Sequence, residues 1–271
     1  MTTTDAFADA PTRPVAGAAR LWEVDVARTV AILMMATYHV GWAIAELAPS
    51  VPIDPFSGGW RALQIASGSS FLALVGVSLA ISDGRARARG RSFRAAYARH
   101  ARRAAQVMAA GILVTVVTLV ALGPDDAIRF GILQCIAVSM LIAPLALPLG
   151  AWAAPLGVAV IALGIAIDGV SAPTSLLLPI GVVPESGAIG VDYYPLLPWH
   201  GPVRIGLALG RWLYPSGARG RLTARLAVAP RGADAAGWLG RHALAVYLIH
   251  QPVLIPLVIM GLLLAGVEIS L

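Results

Sequence analysis

The sequence predicts an all-α polytopic membrane bundle of about seven spanning helices, and three observations carry that prediction. Hydrophobic residues make up 58% of the 271-residue chain and charged residues only 13%, about half the charged share of a soluble domain. The mean hydropathy is +0.78. The apolar residues gather into runs of about 20, the length of helix that crosses a bilayer core, and the loops between them alternate in charge.

Composition also excludes several classes. The single cysteine, Cys135, rules out an internal disulfide framework and a cysteine-based zinc site. All 20 basic residues are arginine, and the net charge is +6. These arginines lie between hydrophobic spans rather than on a soluble face, so they speak for membrane orientation and against a nucleic-acid partner. No P-loop, no GxGxxG after a strand and no HExxH is present, which leaves nucleotide hydrolysis, dinucleotide binding and zincin chemistry without support. No metal ligand set is expected.

In chain order, residues 1–22 read as a polar cytoplasmic tail and residues 23–271 as the transmembrane domain. Hydropathy places spans at about 24–47, 60–82, 104–122, 129–149, 152–168, 193–214 and 240–265. Sixteen of the twenty arginines fall on one side: Arg13, Arg20 and Arg28 at the N-terminal end, and those of the 85–103 and 219–241 segments. The positive-inside rule therefore puts the N-terminus in the cytoplasm of a plasma (inner) membrane and the C-terminus outside.

The first span carries Arg28 at its start and His39 near its middle. Ionisable groups at membrane depth cost roughly 2.5–3.5 kcal/mol or more each, so they face a protein interior and read as functional. Eleven helical steps leave the two side chains within about 20° of one face and some 16 Å apart in height. Asp25, three residues before Arg28, is spaced to hold its guanidinium. The second span has small residues, Ser67 to Ser70 and Gly76, suited to close helix packing.

Residues 83–103 read as an arginine-rich loop. It serves as a lipid-headgroup patch or as a docking surface for a polyanionic cytosolic cosubstrate such as coenzyme A, with Arg102 and Arg103 at its inner end. Gln134 in the fourth span is a buried polar group, open to an interhelical bond or to substrate. The external segment 169–192 has the length of a lid or functional loop. The sixth span is crowded with Pro195, Pro198 and Pro202, and aligns His200, Arg204 and Arg211 on one stripe. In the seventh, His250 lies at a depth where it meets His39.

A neutral imidazole is the form that takes a proton from an attacking hydroxyl or amine. His39 and His250 thus suit acid–base catalysis, a proton relay in a transporter or flippase, or axial ligation of a b-type haem.

Arg28-x10-His39 resembles the signature of the type-3 membrane acyltransferases. The wider wording resembles bacterial relatives of heparan-α-glucosaminide N-acetyltransferase. It is carried by Trp22-Glu-Val-Asp25-Val-Ala-Arg28, Phe71-Leu-Ala-Leu-Val-Gly76-Val-Ser78, Phe130-Gly131-Ile-Leu-Gln134, Asp192-Tyr-Tyr-Pro195-Leu-Leu-Pro198-Trp199 and His250-Gln251-Pro252. The resemblance implies transfer of an acyl group, acetyl above all, from cytosolic acyl-CoA as cosubstrate to a hydroxyl or amine of an extracytoplasmic glycan. Carried over, His39 and Arg28 would be the catalytic residues, with Arg28 also holding the acyl donor. From their own charge, polarity and depth, Asp25, Arg102 and Arg103 are expected toward the acyl-CoA, and Gln134, Asp192, His200, Arg204 and His250 along the acceptor side. Homo-oligomerisation is compatible with this reading.

Overall fold

The computed structural model describes residues 20–270; most of the expected tail, residues 1–22, lies outside the described residues. The elements are α1 Trp22–Leu47, α2 Gly58–Ala88, α3 Phe93–Leu122, α4 Ile132–Ile142, a 3-10 stretch Ala143–Trp152, α5 Ala153–Ala166, α6 Leu196–Leu213, the short helices α7 Ala233–Ala236 and α8 Trp238–Arg241, and α9 Ala243–Leu264. Five stretches are long and apolar enough to cross a membrane: α1, α2, α3, the run Ile132–Ala166 and α9. The all-α membrane bundle stands. The expected count of seven differs because α4 and α5 form one broken run and α6 falls outside the five.

The break has a local cause. Pro144 and Pro148 remove backbone donors, so the α-helix gives way after Ile142 to the looser 3-10 stretch. Gly150 then takes φ 58° and ψ −121°, a left-handed conformation that favours glycine. Beyond it the chain reverses along α6. Ser139 pairs with His200 and the Leu147 carbonyl accepts from Arg211. After the turn, Gly157 meets Gly201, and Gly164 meets Pro198.

Helix α6 is the centre of the packing, wedged between α2 and α5. A Cβ added at Gly76 would lie 2.0 Å from the Val203 carbonyl oxygen, and one added at Gly206 would lie 2.0 Å from that of Ala73. The α2 and α6 backbones therefore touch, the arrangement small residues permit where lipid supplies no hydrophobic drive between helices. Leu72, Val203 and Leu207 fill the seam completely buried. This position explains why α6 tolerates proline, histidine and arginine: its neighbours, rather than lipid, surround it.

The segment expected as an arginine-rich loop is instead mostly helix. Helix α2 continues to Ala88 and α3 begins at Phe93, capped by Ser92, whose Oγ accepts from the Ala95 amide at 3.3 Å. Only residues 89–92 form the turn. Arginine has high helix propensity, so these helices run on past the end of their apolar stretch. On this side Arg219 reaches Glu23 at 2.7 Å, the Trp22 indole donates to Leu226 O at 2.9 Å and Arg85 donates to Gly217 O at 2.9 Å. The three arginine clusters share one face. At the other face the Ser270 amide donates to Leu47 O at 3.0 Å.

The 167–195 segment is a folded cap. The two-residue strands β1 (Ser171–Ala172) and β2 (Val183–Pro184) pair in parallel, and the Leu196 amide donates to Pro179 O at 2.8 Å. Leu178 is buried, with its carbonyl accepting from the Tyr193 hydroxyl at 2.8 Å.

Gly76→Val should force α2 from α6 and cost about 3 kcal/mol or more, lowering the detergent melting midpoint by roughly 6–12 °C. Gly59→Ala, with nothing within 4 Å of the added Cβ, should leave the midpoint unchanged.

Candidate functional site

Two adjoining cavities open among the arginines. The larger, about 780 Å³, has Arg28, Arg99, Arg103 and Arg241 at its charged end. It continues between Phe71, Leu74, Val75, Leu133 and Ile136 to Tyr247 and Leu248. Its volume lies in the range of small-molecule and cofactor sites. The smaller, about 620 Å³, shares Arg28, Arg99 and Arg241 and adds Arg20, Asp25, Arg85 and Arg89.

Arg28 stands where the two meet, braced from both sides. It donates to Asp25 Oδ1 at 2.9 Å on its own helix and to Ser78 Oγ at 2.6 Å on α2. The i,i+3 spacing read from the sequence makes the first bond. Asp25 thus spends a carboxylate oxygen on Arg28. Beside it Thr29 Oγ1 accepts from the Gly240 amide at 3.0 Å, locking α8 onto α1.

Arg99 is the contribution that sequence reasoning missed. Its Nε and Nη2 are enclosed without a partner among the described residues, and the same is true of His100 Nε2. Arg102, expected beside Arg103, is exposed and lines neither cavity. The signal was helical spacing: Arg99, Arg103 and Val107 recur every four residues and face inward together. Read as a loop, the segment carried no such phase.

His39 and His250 come together, their ring centroids 4.8 Å apart and edge to face. Each Nδ1 bonds a carbonyl of its own helix, His39 to Met35 O at 2.8 Å and His250 to Tyr247 O at 2.5 Å. A carbonyl only accepts, so each neutral ring carries its proton on Nδ1 and its lone pair on Nε2. His39 lines neither cationic cavity. Its neighbour His250 has its ring 5.3 Å from that of Tyr247, which does line the larger one. His250 also borders a lateral apolar groove between α1 and α9.

Asp192 sits behind Tyr247. Its Oδ2 accepts from the Ile132 amide at the start of α4, at 3.2 Å, and its carboxylate hydrogen-bonds the Tyr247 hydroxyl. Burial pushes the Asp192 carboxyl up to about 6, against the opposing pull of those two bonds.

The remaining candidates lie elsewhere. Gln134 accepts from the Gly131 amide at 3.1 Å and donates to Gly111 O and Thr115 Oγ1, each at 3.0 Å. Its amide is occupied in joining α3 to α4, and it lines neither cavity. His200 pairs through Nδ1 with Ser139 Oγ at 2.9 Å. Its Nε2, with Arg204 Nε and Nη1, is enclosed without a partner among the described residues. These two residues form a separate polar patch between α4, α5 and α6. Among the described residues no cluster of three or more metal-ligating side chains occurs.

No curated protein and no solved structure matches the chain. The family model described as heparan-alpha-glucosaminide N-acetyltransferase, catalytic, matches residues 20–252. That stretch runs from the first arginine at the mouth of the cavities to the proline after His250, and so takes in both histidines and the whole cationic entrance. The chain belongs to the heparan-alpha-glucosaminide N-acetyltransferase catalytic family.

Proposed function

We propose that this protein is a membrane acetyltransferase that accepts acetyl-CoA from the cytosol. It would pass the acetyl group to a hydroxyl or amine of a glycan on the other side. The observation that carries the reading is the shape of the larger cavity: four arginines at one end, an apolar throat, and Tyr247 at the other end beside the His250–His39 pair. A polyanion with a long neutral arm ending in a thioester matches that sequence of surfaces. Guanidinium groups suit phosphates through paired, charge-assisted hydrogen bonds.

In this reading the arginine-rich face is cytoplasmic, with the N-terminus. The reversal at Gly150 and the central position of α6 support seven crossings, which returns the C-terminus to the outside. The transmembrane domain then begins at the first helix, near residue 23, after the cytoplasmic tail. Arg99, Arg103 and Arg241 hold the phosphates, and Arg28, fixed by Asp25 and Ser78, holds the donor at the neck. The pantetheine arm lies along Phe71, Leu74 and Val75, and carries the thioester to Tyr247.

The acceptor approaches from the extracytoplasmic side. A histidine Nε2 lone pair takes the proton of its hydroxyl or amine as the oxygen or nitrogen attacks the thioester carbonyl carbon. The C–S bond then breaks, and the coenzyme A sulfur leaves with a proton returned from the imidazolium. His39 is the base we assign, with His250 as the ring that backs it and leads to the cavity.

His39→Ala should abolish transfer of labelled acetyl from acetyl-CoA to surface glycans in membranes, with protein level unchanged; full transfer by the variant would remove the assignment. Arg99→Gln should raise KM for acetyl-CoA about 10-fold with little change in kcat, the signature of lost ground-state binding. Arg102→Gln should leave both within about 2-fold.

A further inference from the structure

We propose that Tyr247 and Asp192 form a partition, a hydrogen-bonded pair that closes the inner end of the donor cavity and positions His250. The inference rests on the acetyltransferase reading above and adds to it a boundary between donor and acceptor sides.

Tyr247 is the polar side chain at the inner end of the cavity; the serines that line it, Ser78 and Ser82, lie toward the arginine-lined end. Its hydroxyl does not end in open space but on the carboxylate of Asp192, which belongs to the cap that precedes α6. Asp192 is itself held in place. It accepts from the Ile132 amide, and a Cβ at Gly131 would stand 2.4 Å from its Oδ2. The carboxylate thus occupies room left by a missing side chain, and α4 stands immediately behind it. One end of the partition is anchored on the extracytoplasmic cap and the other on α9.

The same residue sets the histidine. The Tyr247 backbone carbonyl accepts the His250 Nδ1 proton, and the two rings lie 5.3 Å apart. Pro252 follows within the same helix, and its missing amide leaves this turn short of one backbone bond. The Tyr247–Asp192 link therefore replaces part of the rigidity that Pro252 removes. Asp192 acts here through Tyr247, as a positioning residue rather than a contact for the acceptor.

A thioester held beside a basic imidazole is also open to attack by water, which would yield acetate and free coenzyme A. Excluding water from the inner end protects the donor until an acceptor arrives. The partition is the element that does so. Tyr247→Phe keeps the ring and its packing while removing the bond to Asp192; Asp192→Asn weakens that bond from the other side.

The test uses inside-out membrane vesicles from cells expressing the full chain, whose own glycans supply the acceptor. Labelled acetyl-CoA is added, and label fixed in glycan is measured beside label released as acetate. Each variant should lower the transfer kcat about 10-fold and raise acetate release several-fold. KM for acetyl-CoA should stay within about 2-fold. The double variant should be no worse than either single one, because both remove the same contact. Wild-type transfer with unchanged acetate release in both single variants, or single-variant losses that multiply in the double variant, overturns the partition alone. Wild-type vesicles that fix no label overturn the acetyltransferase reading, and the partition with it.

Discussion

Holding a charge or an imidazole below the membrane surface is the constraint around which this protein is arranged. Hydrocarbon offers no partner for a guanidinium or a ring nitrogen, so each such group must find one within the protein or face an enclosed space. Arg28 is given two partners, on α1 and α2. Arg211 donates to the Leu147 carbonyl, and the two inner histidines each donate to a carbonyl of their own helix. Of these, Arg28 ties α1 to α2 and Arg211 ties α6 to the 3-10 stretch after α4, while the paired rings of His39 and His250 bring α1 against α9. The touching backbones of α2 and α6 make that gathering possible at close range.

The same constraint made part of the site legible in the sequence. A charged residue inside an apolar run is conspicuous, and helical arithmetic alone relates Arg28 to Asp25; the same arithmetic set His39 on the Arg28 stripe, yet Arg28 lines the cavities and His39 does not. The meeting of His39 and His250 followed from equal depth in two spans, because a bilayer fixes height and a bundle of few helices leaves few places for buried polar groups. The charge alternation likewise grouped the arginines on one face, as the structure also has them.

What was not legible lay where the bilayer stops being the reference. Hydropathy finds the edge of the apolar stretch, not the end of the helix. Residues 83–103 therefore read as a loop although only four of them, 89–92, lie between the helices. With the helix went its phase, and so Arg102 rather than Arg99 was set beside Arg103. Gln134 is conspicuous for the same reason as His39, but two of its bonds join α4 to α3 and the third caps its own helix; polarity at depth marks a need for partners without saying which kind. Tyr247 carries no signal in the sequence, because a tyrosine in an apolar run is unremarkable until its hydroxyl is found on Asp192, 55 positions earlier in the chain.

The cavity has a physical logic that links its two ends. The phosphates of an acyl-CoA need positive charge and tolerate water, so an arginine mouth open to solvent suits them. The thioester needs the reverse, a dry place next to a base, since every electrostatic interaction strengthens as water leaves. A single straight channel across the membrane would meet the first need and defeat the second. Placing a tyrosine across the inner end, fixed to a carboxylate of the opposite cap, separates the two environments within one helix turn of the histidine. The folded 167–195 segment is then more than a connection between α5 and α6. It supplies the carboxylate against which α9 is set, and in the proposed acetyltransferase reading it would stand between an arriving acceptor and the donor.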